Sequence, residues 1–274
     1  MRVLTTAEEL LADHDGIVLL DVRWQLGRTD GRAQHLAGHL PGAVFVDLET
    51  ELAGPPSGAE GRHPLPSLPA LQSAARRWGV RDSSRVVVHD ATGGLAAARA
   101  WWLLRWGGLP DVTILDGGLA AWTAAGGRLE TGEVVPGPGD VTLPGGGMPV
   151  LTADEAAALP TGGGVLLDAR AEERYRGEVE PVDPRAGHVP GAVSAPTTGN
   201  LDENGHFRTA AVLTERFAAL GVQPGVTVGV YCGSGVTAAH QVAALAEAGI
   251  HAALWPGSWS QWSNDPTRPV ATGT

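Results

Sequence analysis

The stretch "TVGVYCGSGVTAAHQVAALAEAG", residues 227–249, indicates a strand, a glycine-containing loop and a helix in direct succession. Its first residues are mostly apolar and β-branched, and its last residues have the apolar spacing of a helix. Cys232, the only cysteine of 274 residues, lies between these two parts. Strands that alternate with helices favour a parallel sheet, which binds ligands at the carboxyl ends of its strands. We therefore expect Cys232 at a ligand-binding edge.

The same arrangement occurs earlier in the chain, in "RVVVHDATGGLAAARAWWLLRWGG" at residues 85–108, where Asp90 takes the place of Cys232. Three more segments recur in the same order in both halves. They are "VLLDVRW" (18–24) and "VLLDARA" (165–171), "HLAGHLPGAVFVDL" (35–48) and "PRAGHVPGAVSAP" (184–196), and "ILDGGLAAW" (114–122) and "LWPGSWSQW" (254–262). A repeat with a period of about 140 residues indicates a duplicated domain rather than a solenoid.

We predict an N-terminal domain at residues 1–130 and a C-terminal domain at residues 150–274. Residues 131–149, which are rich in glycine and proline, are the predicted linker. Each half alternates short apolar strands, such as "GIVLLDV" and "AVFVDL", with helical patterns such as "LPALQSAARRWG". The predicted fold class is α/β, with a mainly parallel sheet flanked by helices in each domain.

Composition restricts the possible functions. The formal net charge of −11 argues against general affinity for nucleic acid or anionic membranes. All 19 basic residues are arginine, and one cysteine can form neither an internal disulfide nor a multi-cysteine zinc site. The chain has no apolar signal segment and no run near the ~18 apolar residues of a membrane span. We predict a cytoplasmic protein without a membrane or nucleic-acid partner.

The loop after Cys232 favours thiol chemistry. Two of its residues are glycines, which let successive amide groups turn inward as a nest for an anion. The following helix adds its positive end, so a thiolate or a terminal persulfide would be stabilised there. Asp90 can cap a helix but cannot perform thiol chemistry. We therefore predict that only the C-terminal copy is catalytic.

These repeated motifs, together with the loop "CGSGVTA", resemble those of the tandem-domain rhodanese sulfurtransferases across nearly the whole chain. The loop is similar to that of 3-mercaptopyruvate sulfurtransferases. Animal thiosulfate enzymes typically have arginine and lysine where this chain has Gly233 and Ser234. The resemblance implies two rhodanese-like domains and a sulfur carried as a persulfide on Cys232.

The resemblance also implies the reactants. A small anionic donor, with 3-mercaptopyruvate favoured and thiosulfate a close second, would pass its sulfur through Cys232 to cyanide, a thiol or a protein. No cofactor or metal is expected, because the transferred atom is held covalently.

Several site residues are implied by position. A relay beside the cysteine would comprise Ser234, His63 and Glu49, with glutamate where the family has aspartate. Arg174 corresponds to the arginine that grips the donor's anionic group. The remaining residues expected to bind the donor are those of the loop and one aromatic side chain: Gly233, Gly235, Val236, Thr237 and Trp24.

The chain departs from the family at a further position. A second substrate arginine of the mercaptopyruvate enzymes falls on Val182, and Arg185, three residues later, is the candidate to replace it. His39, His188, Arg23 and Arg170 occur in both halves, so we expect them to be structural.

The sequence argues against three other functions. Phosphatases that share this fold have a C-x5-R loop, whereas Ala238 lies six positions after Cys232. A serine hydrolase needs G-x-S-x-G, but Cys232 and Val236 flank Ser234 at the glycine positions. The alternative from another class is a non-catalytic binding or scaffold protein, against which the retained cysteine loop argues.

Overall fold

The computed structural model describes residues 2–274, which form two compact units. Unit 1 contains residues 2–54, 66–148 and 203–207. Unit 2 contains residues 55–65, 149–202 and 208–274. Unit 2 thus includes a segment from the first half of the sequence, and that segment carries His63.

The strands of unit 1 form a parallel sheet in the order β1-β5-β4-β2-β3. They are β1 Leu4–Thr5, β2 Ile17–Asp21, β3 Val44–Phe45, β4 Arg85–His89 and β5 Val112–Leu115. The helices of this unit are α1 Ala7–Ala12, α2 Gly31–Ala37, α3 Leu48–Glu51, α4 Leu68–Arg77, α5 Ala97–Trp106 and α6 Gly118–Ala124. The central strands are apolar and buried, as expected of a sheet covered on both faces.

The strands of unit 2 form a parallel sheet in the order β7-β6-β8-β9. They are β6 Val165–Asp168, β7 Val193–Ser194, β8 Val228–Tyr231 and β9 Ala252–Leu254. The helices are α7 Ala153–Ala158, α8 Glu172–Tyr175, α9 Ala210–Ala219, α10 Val236–Glu247 and α11 Ser258–Asn264, with a 3-10 turn at Thr197–Asn200. Val150 pairs with Leu254 at the edge where β1 pairs with β5 in unit 1. The two sheets therefore share one topology.

Local sequence accounts for many element ends. Thr6 and Thr152 each form a capping box with a glutamate three residues later, at the starts of α1 and α7. The predicted strand "AVFVDL" is wrong in its length, because only Val44–Phe45 is β. The Asp47 carboxylate accepts hydrogen bonds from the Glu49 and Thr50 amides, so the chain begins α3 there instead.

The segment predicted as a linker packs on unit 1 over much of its length. Val141 is fully buried, and its amide donates to the Val80 carbonyl at 3.2 Å. The Gly139 amide donates to the Arg76 carbonyl at 2.8 Å. Within residues 2–274, no helix combines the length and apolar character needed to cross a bilayer.

The two parallel sheets flanked by helices confirm the predicted fold class.

Candidate active site

Cys232 lies between β8 and α10, at the carboxyl edge of the unit 2 sheet, and is 2% exposed. Its amide donates to Ser258 Oγ at 3.2 Å, and its carbonyl accepts from the Trp259 amide at 3.0 Å. Ser258 is fully buried with a φ of +53°, a conformation that few residues other than glycine adopt. The first turn of α11 therefore holds the cysteine backbone in place.

The loop brings a backbone donor onto the sulfur. The Gly235 amide lies 3.1 Å from Cys232 Sγ, within hydrogen-bonding distance for sulfur. Gly235 has a φ of +80°, and a Cβ there would lie 2.5 Å from the Pro256 carbonyl oxygen. Only glycine fits this position, so the predicted amide nest depends on it. Val236 begins α10 and is buried, whereas Thr237 is half-buried.

The corresponding loop of unit 1 already contains an anion. Asp90 Oδ1 accepts from the amides of Thr92 at 2.8 Å and Gly94 at 2.9 Å. Asp90 Oδ2 accepts from the amides of Ala96 at 2.8 Å and Ala97 at 3.0 Å. In this fold, the loop that follows the strand can thus surround a negative group with converging N–H donors.

Ser234 and His63 meet in unit 2. Ser234 Oγ lies 2.7 Å from His63 Nδ1, and the two residues are 5% and 4% exposed. A hydrogen bond between a buried hydroxyl and an imidazole, two residues after the thiol, can pass a proton to or from a reacting group. The pair is 171 residues apart in sequence, and the resemblance alone predicted it.

The segment that carries His63 is held by α11. The Arg62 amide donates to Ser260 Oγ at 3.1 Å, and Gln261 Nε2 donates to the Ala59 carbonyl at 2.7 Å. Both contacts hold residues that closely precede His63, so the segment that carries the imidazole is not a free loop.

Arg174 lies beside the cysteine loop in a cluster of charged groups. Its Nη2 donates to Glu180 Oε1 at 2.7 Å and lies 3.4 Å from Asp183 Oδ2. Asp183 also forms an ion pair with Arg62. Burial raises the pKa of the Asp183 carboxyl, while Arg62 and Arg174 act in the opposite direction.

Arg185 binds backbone groups at the end of α11. Its guanidinium donates to backbone carbonyl oxygens of Trp262, Ser263, Asp265 and Arg268 at 2.5–2.8 Å. These bonds cap the end of α11 and engage Nε, Nη1 and Nη2, so the geometry favours a structural role. Val182, at the position of the absent arginine, is 42% exposed.

Two further predicted site residues lie in unit 1. The Trp24 indole Nε1 donates to Glu49 Oε1 at 2.6 Å, with Trp24 half-buried and Glu49 exposed. The role of Glu49 in orienting His63 and the role of Trp24 at the donor stay predictions.

The residues shared by both halves lie in buried contacts. Arg170 Nη2 pairs with Asp168 Oδ2 at 2.6 Å, and its guanidinium lies 4.6 Å from the centre of the Trp259 ring. His188 Nδ1 lies 2.8 Å from the Tyr175 carbonyl oxygen. Arg23 Nε pairs with Asp21 Oδ1 at 2.6 Å.

Three residues around Cys232 were not predicted from the sequence: Arg62, Asp183 and Ser258. The signal for Arg62 was its position next to His63, and that for Asp183 its position in "EPVDPR". Ser258 follows the repeated glycine of "PGS" but carries no motif of its own.

The family model described as "Rhodanese-like domain" matches the chain twice, at residues 4–125 and 152–265. The chain therefore belongs to the rhodanese family, and the predicted duplication is confirmed.

Similar proteins span the whole chain. It is 51% identical to "Putative thiosulfate sulfurtransferase SseB" of Mycobacterium tuberculosis, over 100% of this chain and 98% of that protein. It is 47% identical to "Probable 3-mercaptopyruvate sulfurtransferase" of Pseudomonas aeruginosa, over 98% of each. The crystal structure of SseA from Escherichia coli has a TM-score of 0.82 and 33% identity, covering 94% of this chain and 99% of that one.

Proposed function

We propose that this protein moves a sulfane sulfur from a small anionic donor, through a persulfide on Cys232, to cyanide, a thiol or a protein acceptor. The chain is a sulfurtransferase of the rhodanese family, as its similar proteins are named. The observation that carries the proposal is the position of the only thiol. It lies in a loop whose counterpart in unit 1 binds a carboxylate through converging amides.

With thiosulfate, the Cys232 thiolate attacks the outer sulfur. A new S–S bond forms, the S–S bond of the donor breaks, and sulfite leaves with that bonding pair. The product on the enzyme is a terminal persulfide anion, which the Gly235 amide and the start of α10 would stabilise. Cyanide then takes the outer sulfur as thiocyanate and restores the thiolate.

With 3-mercaptopyruvate, the Cys232 thiolate attacks the donor sulfur, a new S–S bond forms, and the C–S bond of the donor breaks. Its bonding pair goes to carbon as an enolate, and the proton of the donor thiol must reach that carbon to give pyruvate. The Ser234–His63 hydrogen bond supplies a route for this proton. Thiosulfate requires no proton, because sulfite is a stable anion.

The donor with the higher kcat/KM is expected to be 3-mercaptopyruvate. The names of the similar proteins include both donors, so the preference rests on the buried Ser234–His63 pair. Steady-state assays with each donor and cyanide, read as thiocyanate, measure it. A higher kcat/KM with thiosulfate would reverse the assignment. If neither donor gave thiocyanate, the result would favour the non-catalytic scaffold protein.

Ser234→Ala is expected to lower kcat with 3-mercaptopyruvate by about 10- to 100-fold, but kcat with thiosulfate by less than about threefold. The reason is that only the first reaction needs the proton. Thr92→Ala, at the equivalent position of the unit 1 loop, is the matched control and should leave both reactions unchanged. Equal losses of Ser234→Ala with the two donors would count against the relay.

A further inference from the structure

Two guanidinium groups face the residue that follows Cys232. A methyl group on Gly233 would lie 3.2 Å from Arg62 Nη2 and 3.4 Å from Arg174 Nη1. The two arginines come from segments more than 100 residues apart, yet both belong to unit 2. Their convergence on one glycine places two positive charges beside the residue that follows Cys232.

Each of these arginines has guanidinium nitrogens that take no part in its ion pairs. Arg62 uses Nη1 to bind Asp183, and Arg174 uses Nη2 to bind Glu180 and Asp183. The nitrogens nearest Gly233 are Arg62 Nη2 and Arg174 Nη1. Nε of each arginine is also buried without a hydrogen-bond partner among residues 2–274. A buried donor without a partner costs free energy, so these guanidinium groups still have hydrogen-bonding capacity.

Two carboxylates lower the net positive charge around these arginines. The carboxylate side chains of Asp183 and Glu180 are 3% and 4% exposed, and they pair with Arg62 and Arg174. These pairs leave neither partly buried guanidinium without a counter-charge. An incoming anion would share the guanidinium groups with Asp183.

We propose that Arg62 is a second donor-binding arginine and that, with Arg174, it forms a paired guanidinium site for the anionic group of the sulfur donor. Val182 and Arg185 do not supply this charge: the first is apolar, and the second is engaged by backbone carbonyls. The inference rests on the proposed function, because the donor must lie where Cys232 can attack its sulfur.

Arg62→Ala is expected to raise KM for 3-mercaptopyruvate at least about tenfold, while kcat changes less than about threefold, because a charge-assisted contact is lost. Arg62→Lys should recover part of this loss. The matched control is Arg176→Ala, since Arg176 pairs with exposed glutamates on the same segment as Arg174. An unchanged KM in Arg62→Ala would overturn the proposal.

A structural role for Arg62 predicts a different pattern. If Arg62 only neutralises Asp183, then Asp183→Asn should restore KM in the double variant, whereas donor binding by Arg62 leaves KM raised. Persulfide-loaded Arg62→Ala should also react with cyanide at the wild-type rate, because the donor is absent from that step. Restoration by Asp183→Asn, or an equal loss in the cyanide step, would overturn the proposal.

Binding without turnover separates this inference from the proposed function. Calorimetry in the Cys232→Ser background would compare thiosulfate binding with and without Arg62→Ala. At least about tenfold weaker binding supports the arginine pair, and equal binding contradicts it. Absence of sulfur transfer by the wild type would contradict the proposed function and leave this comparison unaffected.

Discussion

Cys232→Ser is expected to lower kcat for sulfur transfer at least about 1,000-fold with both donors. The hydroxyl is a far weaker nucleophile than a thiolate and cannot carry a persulfide. The serine side chain is close in size to cysteine, and the site is held by backbone contacts to Ser258 and Trp259. We therefore expect the variant to fold, with an unfolding transition near that of the wild type.

Mass spectrometry tests the same prediction directly. Wild-type protein incubated with donor should gain about 32 Da, the mass of one sulfur, and lose it on addition of cyanide. Cys232→Ser should gain nothing, since the chain has no other cysteine. Sulfur transfer retained at the wild-type rate in Cys232→Ser would show that the carrier lies elsewhere.

The fold could be predicted because its signals are local and repeated. Short apolar strands alternate with capped helices, and the same four segments occur in both halves. The position of Cys232 followed from strand, glycine loop and helix within one stretch. The strand β3 is shorter than predicted. The carboxylate of Asp47 caps α3, so the chain leaves the strand before that residue.

The charged part of the candidate site could not be derived from local patterns. Arg62 and Asp183 are 121 residues apart, and nothing in either stretch indicates that they pair. Arg185 illustrates the converse, because its sequence position favoured donor binding while its guanidinium donates to carbonyls at the end of α11. Contacts between distant segments depend on tertiary packing, which a single sequence does not encode in any local period.

The second large effect is expected on stability, from a substitution of Asp90 in the loop that follows β4 of unit 1. Asp90 is 1% exposed and accepts hydrogen bonds from the amides of Thr92, Gly94, Ala96 and Ala97. An asparagine keeps one acceptor oxygen and places an NH₂ group against two amide donors. Because hydrogen bonds to a charged group contribute about 1.5–3 kcal/mol each, Asp90→Asn should lower the free energy of unfolding of unit 1 by about 2–4 kcal/mol.

The chemistry should hardly respond to the same substitution, because Asp90 cannot act as a sulfur carrier. At a temperature where Asp90→Asn is folded, kcat with either donor should remain within about threefold of the wild type. Urea unfolding and hydrogen exchange of amides 92–97 measure the stability effect. Asp15→Asn, at an exposed position of unit 1, is the control for the change in charge. An unchanged unfolding free energy would contradict the role of the buried carboxylate, and a loss of kcat beyond about tenfold in the folded variant would contradict the assignment of catalysis to Cys232 alone.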